Sequence, residues 1–245
     1  MQPSTSLDFQ NAVVLAPMVR ASTLPLRMLA LDYGADFVWT EEIVARKIAL
    51  CSRFLNERLG TVEFYSPDAP HFRVFQTCEA EREKVIFQIG TNSAREALEA
   101  AMVVVNDVAA IDLNMGCPKH FSVTGGMGAA LLSKPETAAD IIKTLKRNIN
   151  LPVTAKIRLL KTRSETAELM KRLESAGVDA ITVHCRYVAT RPHERALWEE
   201  LEHCVSAVSV PVIGNGDVLT RSDGLKLMEK SRCAGVMIAR GVRNS

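Results

Sequence analysis

VTAKIRL (153–159), SETAELMKRLESAG (164–177) and AITVHCR (180–186) follow one another with only short breaks. The outer two are short, nearly continuous apolar runs rich in β-branched residues. The middle one repeats its apolar residues at helical spacing, with Ser164 placed as the N-cap and Gly177 as the stop. Strand, helix and strand in this order mean two parallel strands of a sheet covered on both faces. The same alternation extends in both directions. Towards the N-terminus the strand-like runs are AVVLAPM (12–18), DFVWTEE (36–42), VIFQIG (85–90) and AAIDLNMG (109–116); towards the C-terminus they are VPVIGNGD (210–217) and AGVMIARG (234–241). Helical patterns lie between them at 23–34, 93–106 and 135–148. Eight such strands is the number of a (β/α)8 TIM barrel. A doubly wound sheet would need a phosphate loop after its first strand, and APMVRAST there contains no GxGxxG.

Two connections exceed a plain unit. TVEFYSPDAPHFRVFQT (61–77) reads as a hairpin inserted between strands two and three, and CPKHFSVTGGMGAALLS (117–133) as a loop and short helix over the barrel mouth. No linker or low-complexity tract divides residues 1–245, so one catalytic-type domain is expected. Only four residues follow Gly241, and on that count the eighth barrel helix is expected to be missing.

Hydrophobic residues make up 47% and charged residues 24%, which excludes disordered and fibrous classes. No apolar run approaches the ~20 residues of a membrane span, and the N-terminus lacks the pattern of a signal peptide. Six scattered cysteines without a CxxC read as reduced thiols, so a cytoplasmic setting is expected. Lys+Arg 30 against Asp+Glu 28 leaves a formal net charge of +2. Residues 143–172 nevertheless carry nine Lys or Arg and only two acids, and Arg186, Arg191, His193 and Arg195 follow. Such a run is a solvated helix face or a polyanion site, and charge alone does not decide between them.

Barrel chemistry sits at the C-terminal strand ends. Those ends carry Pro17 and Met18, Glu41 and Glu42, Gln88, Asn114 to Cys117, Lys156, His184, Asn215-Gly216-Asp217, and Arg240-Gly241. Each has an ordinary reading: core hydrogen-bonders for Gln88 and Asn114, a structural histidine for His184, a salt bridge for Glu42. Together they describe a shared ligand. The glycine-bearing ends of strands seven and eight occupy the usual barrel phosphate position, where Arg240 can add a charged contact, or else simply form tight turns. Lys156 can face an anionic ring edge or form a Schiff base. Cys117 stands between a strand end and the glycines 125, 126 and 128. An ordinary thiol, pKa about 8.5, is mostly protonated at neutral pH and can act as a general acid. No histidine accompanies it at metal-ligand spacing, so no metal is expected.

LAPMVR (15–20), FQIGT (87–91), NMGCP (114–118), TGGMGAAL (124–131), AKIR (155–158), VHCR (183–186), GNGD (214–217) and ARG (239–241) together resemble the tRNA-dihydrouridine synthases, and within them the eukaryotic branch that acts on uridine 20. The resemblance implies a barrel holding FMN, reduced by NADPH or NADH, that reduces the C5=C6 bond of a D-loop uridine in tRNA. By position it implies Pro17, Met18 and Val19 along the flavin ring, Gln88 and Lys156 at its polar edge, and Glu42 and His184 beside it. Asn215, Gly216, Asp217, Ala239 and Arg240 would hold the ribityl phosphate. Cys117 would protonate C5 and Asn114 would help to place the base. Lys161, Arg163, Arg186, Arg191 and Arg195 would meet tRNA phosphates; neither DNA nor a membrane is an expected partner. The family pattern has Gly at Cys185, and family members carry a helical tRNA-binding domain, often followed by a double-stranded-RNA-binding domain, neither expected within these 245 residues. Two other readings remain open: a flavin barrel on a free pyrimidine, similar to dihydroorotate dehydrogenase, and a truncated, non-catalytic binding product.

Overall fold

A computed structural model describes residues 7–191 and 193–243 of the chain. Twelve strands are found there: β1 (Ala12–Leu15), β2 (Phe37–Trp39), β3 (Ile43–Val44), β4 (Ser52–Asn56), β5 (Thr61–Ser66), β6 (Ala69–Cys78), β7 (Val85–Gly90), β8 (Ala110–Met115), β9 (Val153–Leu159), β10 (Ala180–Tyr187), β11 (Val212–Asn215) and β12 (Gly235–Ile238). The helices are α1 (Leu24–Asp32), α2 (Ala45–Ile48), α3 (Ala94–Val104), α4 (His120–Thr124), α5 (Pro135–Asn148), α6 (Arg163–Ser175), α7 (Leu201–Ala207) and α8 (Arg221–Ser231). Eight strands pair in parallel in the order β2-β1-β12-β11-β10-β9-β8-β7, and β2 pairs with β7 to close the ring. This is a (β/α)8 barrel. Among the described residues no helix is long and apolar enough to cross a membrane.

Strand alternation gives the barrel two faces. The outward set packs on the helices as the main core, with Phe87, Ile111, Leu113, Ile157, Ile181 and Val183 fully buried. The inward set changes character along the barrel. Near the strand starts it is apolar, with Trp39, Ile86, Ala110, Ala180, Ile213 and Met237 clustered on Phe9. One layer up stand Gln88, Asp112, Thr154 and Thr182, all buried. Above them come Asn114, Lys156, His184 and Asn215, in register as Asn114↔Lys156 and His184↔Asn215. Polar residues inside a closed barrel need partners, and these accumulate at the mouth.

The inserted segment is larger than a hairpin. β5 and β6 pair as expected, but β4 (SRFLN) adds a third antiparallel strand. Its side chains are mostly exposed, so no apolar alternation marks it. Phe75 of β6 anchors this sheet edge-on against Phe87 at 4.8 Å. Arg27 of α1 holds the same end, binding Glu81 through two nitrogens at 2.9 and 2.6 Å and Gln76 O at 2.7 Å. The start of α6 also differs from expectation. Thr162, not Ser164, is the N-cap: its hydroxyl accepts from Glu165 N while the Glu165 carboxylate accepts from Thr162 N. Ser164 lies already inside the helix. Gly177 stops it as expected, at φ +99°. After β12, Arg240–Arg243 forms a 3-10 turn, and a cavity of about 410 Å³ lies between α1 and residues 219–221, beside Leu15 and Ile238.

Candidate active site at the strand ends

Cys117 is held by a chain of hydrogen bonds that begins inside the barrel. Thr154 Oγ1 and Gln88 Nε2 donate to the two oxygens of Asp112 at 2.6 and 2.8 Å. That fixes the polarity of the Gln88 amide, whose Oε1 accepts from Asn114 Nδ2 at 3.2 Å. Asn114 Oδ1 then accepts from the N–H groups of Gly116 (2.9 Å) and Cys117 (3.0 Å), folding the chain sharply after β8. Arg158 Nε donates to Gly116 O at 2.8 Å from the next strand. Gly128 of the following loop, at φ +57°, lies so close that a Cβ there would sit 2.6 Å from Cys117 O. Half-buried, the thiol is pushed up to about 11, by burial first and then by the charge of Glu42. It is therefore an acid at neutral pH rather than a nucleophile.

Glu42 follows β2 and is buried, and among the described residues it forms no salt bridge, its ordinary reading. Its Oε1 accepts from Ser122 Oγ at 2.8 Å, and its Oε2 is buried with no hydrogen-bond partner among the described residues. Burial raises its pKa.

Across the mouth, a cavity of about 230 Å³ is lined by Arg158, His184, Arg186, Gly216, Asp217 and Arg240 among others. Lys156 approaches the same end, its Nζ donating to Asn215 Oδ1 at 3.2 Å; burial, then the Arg158 charge, push it down to about 8. His184 Nε2 lies 3.1 Å from Arg186 Nη1. A guanidinium only donates, so Nε2 is the acceptor and the ring proton rides on Nδ1. Burial and the charges of Lys156, Arg158, Arg186 and Arg240 push this histidine far down, leaving it neutral. On the cavity wall Asp217 answers these cations, accepting from Arg186 and Arg240 at 2.5 Å each and from Ala196 N at 2.7 Å. Gly216, at φ +117°, clears the floor: a Cβ there would lie 2.9 Å from Ala196 and 3.2 Å from His184. A glycine-floored pocket with more cations than carboxylates on its wall fits a phosphate.

The other expected residues fall in several environments. Met18 is half-buried after β1, its N–H donating to Ser22 Oγ at 3.0 Å, with Pro17 beside it and Val19 exposed. Ala239 lines the cation-walled cavity. The Asp217 carboxylate is taken up by Arg186 and Arg240 on one oxygen and by Ala196 N on the other. Lys161, Arg163, Arg191 and Arg195 are exposed. Arg163 is paired with Glu200 at 2.8 and 3.0 Å. Arg186 is a correction: it is buried, locked to Glu194 O and Asp217, and does not belong to the exposed rim. The basic stretch 143–172 is likewise no single face. Lys156 and Arg158 turn into the barrel, Lys146 binds Asp179, and Arg172 pairs with Glu136. Asp112, Ser122 and Arg158 were not singled out from sequence. A charged residue inside an apolar strand run, as in AAIDLNMG and VTAKIRL, was the available signal for two of them; nothing marked Ser122.

Fold and site define a (β/α)8 barrel whose strand ends present a cation-lined cavity across the mouth from a protonated thiol. Residues 14–245 match the family described as Dihydrouridine synthase (Dus). The chain belongs to the dihydrouridine synthase family. The tRNA-dihydrouridine(20) synthase [NAD(P)+] of Schizosaccharomyces pombe is 42% identical over 98% of this chain and 52% of its own length. The protein of the same name from Saccharomyces cerevisiae is 43% identical over 88% of this chain and 59% of its own. The chain thus spans between half and three-fifths of these two relatives. Among solved structures, an N-acetylmannosamine-6-phosphate 2-epimerase from Clostridium perfringens superposes with a TM-score of 0.57 at 15% identity, over 95% of this chain and 87% of that one, a likeness of fold alone.

Proposed function

We propose that this barrel carries out FMN-dependent reduction of a D-loop uridine in tRNA to 5,6-dihydrouridine, with NADPH or NADH as the reductant. The observation that carries this reading is the Cys117 acid standing across one barrel mouth from a cation-lined, glycine-floored cavity. Two of the chain's relatives are named for this reaction on tRNA and for NAD(P)+. A reduced flavin held at the mouth would supply a hydride, two electrons and one proton, to C6 of the uracil ring.

The chain's own residues do the rest. Arg240, Arg186 and the backbone at Gly216, Asp217 and Ala239 receive the phosphate. Gln88, its amide polarity set by Asp112, offers hydrogen bonds to the ring edge. Lys156, tied to Asn215, places positive charge where negative charge develops. Pro17, Met18 and Val19 border the ring plane. Asn114 orients the loop that carries Cys117, and the thiol proton goes to C5, quenching the enolate-like anion formed when C6 is reduced. The target base must leave its stack to arrive there. Lys161, Arg163, Arg191 and Arg195 at the rim meet backbone phosphates without reading sequence.

The test is direct. Purified protein incubated with FMN, NADPH and unmodified tRNA is expected to retain a yellow flavin and to form dihydrouridine, counted per tRNA by mass spectrometry. A colourless protein that excludes FMN defeats the reading. Flavin-loaded protein that turns over free orotate or dihydroorotate but not tRNA points instead to a free-pyrimidine enzyme.

A further inference from the structure

Cys117, Glu42 and Ser122 come from three separate segments, the loop after β8, the loop after β2 and α4, and meet at one point. Ser122 is fully buried and donates to Glu42 Oε1. Two glycines make the meeting possible. A Cβ on Gly90 would fall 2.5 Å from Glu42 Oε1, and one on Gly128 would fall 2.4 Å from Ser122 Oγ and 3.1 Å from Cys117 Cβ. Among the described residues the second carboxylate oxygen of Glu42 is buried and meets no nitrogen or oxygen donor, a costly arrangement for a residue that only fills space, and Cys117 is the side chain coupled to this carboxylate besides Ser122.

We propose that Glu42 and Ser122 are the proton supply of Cys117. The inference rests on the reaction proposed above and adds a step to it. When Cys117 protonates C5, a C–H bond forms and the S–H bond breaks, leaving a thiolate. Ser122 Oγ–H gives its proton to that sulfur and takes one from the Glu42 carboxyl. Glu42 recovers its proton from solvent after product leaves. The electrons come from the flavin, which NAD(P)H re-reduces, so the proton route carries none. Once Glu42 has given up its proton, the charge left on its carboxylate holds the returned proton on the thiol until solvent recharges the carboxyl. The other charged groups coupled to this thiol, Lys156 and Arg158 of β9, act in the opposite sense.

The experiment needs two variants and two readouts. The rate of Cys117 alkylation by iodoacetamide is followed against pH by mass spectrometry of the Cys117 peptide, without tRNA. In Glu42→Gln it is expected to rise about tenfold at pH 9, as for a thiol titrating one unit lower. The second readout is dihydrouridine formation by flavin-loaded protein against pH. Its high-pH limb is expected to move down in Glu42→Gln. In Ser122→Ala the plateau is expected to fall about tenfold or more without any downward movement of the limb. A merely structural role moves neither limb nor alkylation profile. Superimposed profiles for Glu42→Gln and parent, or a full plateau in Ser122→Ala, would overturn the proposal. Failure of the parent to modify tRNA would sink the reaction instead, while the alkylation profile still judges the coupling.

Discussion

At Cys117 burial and a neighbouring carboxylate make the thiol a poorer thiolate, the opposite of what a nucleophilic cysteine needs. A general acid contributes about 10²–10⁴-fold, so Cys117→Ala is expected to slow dihydrouridine formation by that factor while leaving flavin content unchanged. Single-turnover oxidation of the reduced protein by tRNA measures it, and an unchanged rate removes Cys117 from the chemistry. Lys156 supports a second prediction. Its folded pKa lies near 8, below the usual lysine value, because burial and Arg158 disfavour the charged form. Below that pH the ammonium is present and attracts an anionic ligand; above it the amine is neutral and the attraction is gone. FMN affinity is therefore expected to weaken as pH rises from 7 to 9. Fluorescence titration should show this for the parent and a flatter dependence for Lys156→Met. The same steep dependence in the variant assigns the titration to another group.

The elements show how far one sequence carries the fold. Each barrel strand is a short apolar run that needs no partner to be recognised, and the glycine and polar residues at its end mark the mouth. β4 escapes because SRFLN is exposed and paired on one side only; its strand character comes from β5 across the ladder. That the ends of β11 and β12 share one cavity was legible in GNGD and ARG. The Asp112–Gln88–Asn114 chain was not, since its members sit on neighbouring strands and their order depends on register. The cap of α6 was legible but misread. Thr162-x-x-Glu165 is a capping box, whereas three residues after Ser164 stands Ala167. Thr162→Ala is accordingly expected to lower stability by about 1 kcal/mol, and Ser164→Ala to leave it unchanged or raise it by a few tenths. Urea unfolding of the two variants distinguishes them, and equal losses would contradict the observed cap.

In the whole molecule the cation-lined cavity acts as a fastener. Its walls come from the ends of β9, β10, β11 and β12 and from Pro118 after β8, so a ligand there joins neighbouring strands all along one side of the barrel. Besides burial, like charges oppose one another here: Arg158 lowers the pKa of Lys156, and Arg186 lowers that of Arg158. A ligand that binds only the folded state stabilises it by about 2.7 kcal/mol at a hundred times its dissociation constant. For a chain of this size each kcal/mol raises the melting temperature by about 2–4 °C, so saturating FMN is expected to raise it by about 5–11 °C. Riboflavin has the same ring without the phosphate and should give a much smaller shift. Removing one charge-assisted contact costs about 1.5–3 kcal/mol, so Arg240→Ala should erase most of the difference between the two ligands while leaving the ligand-free melting temperature nearly unchanged. Thermal scans of parent and variant with each ligand make the comparison. Equal shifts from FMN and riboflavin in the parent would mean that the cations at this mouth do not hold a phosphate.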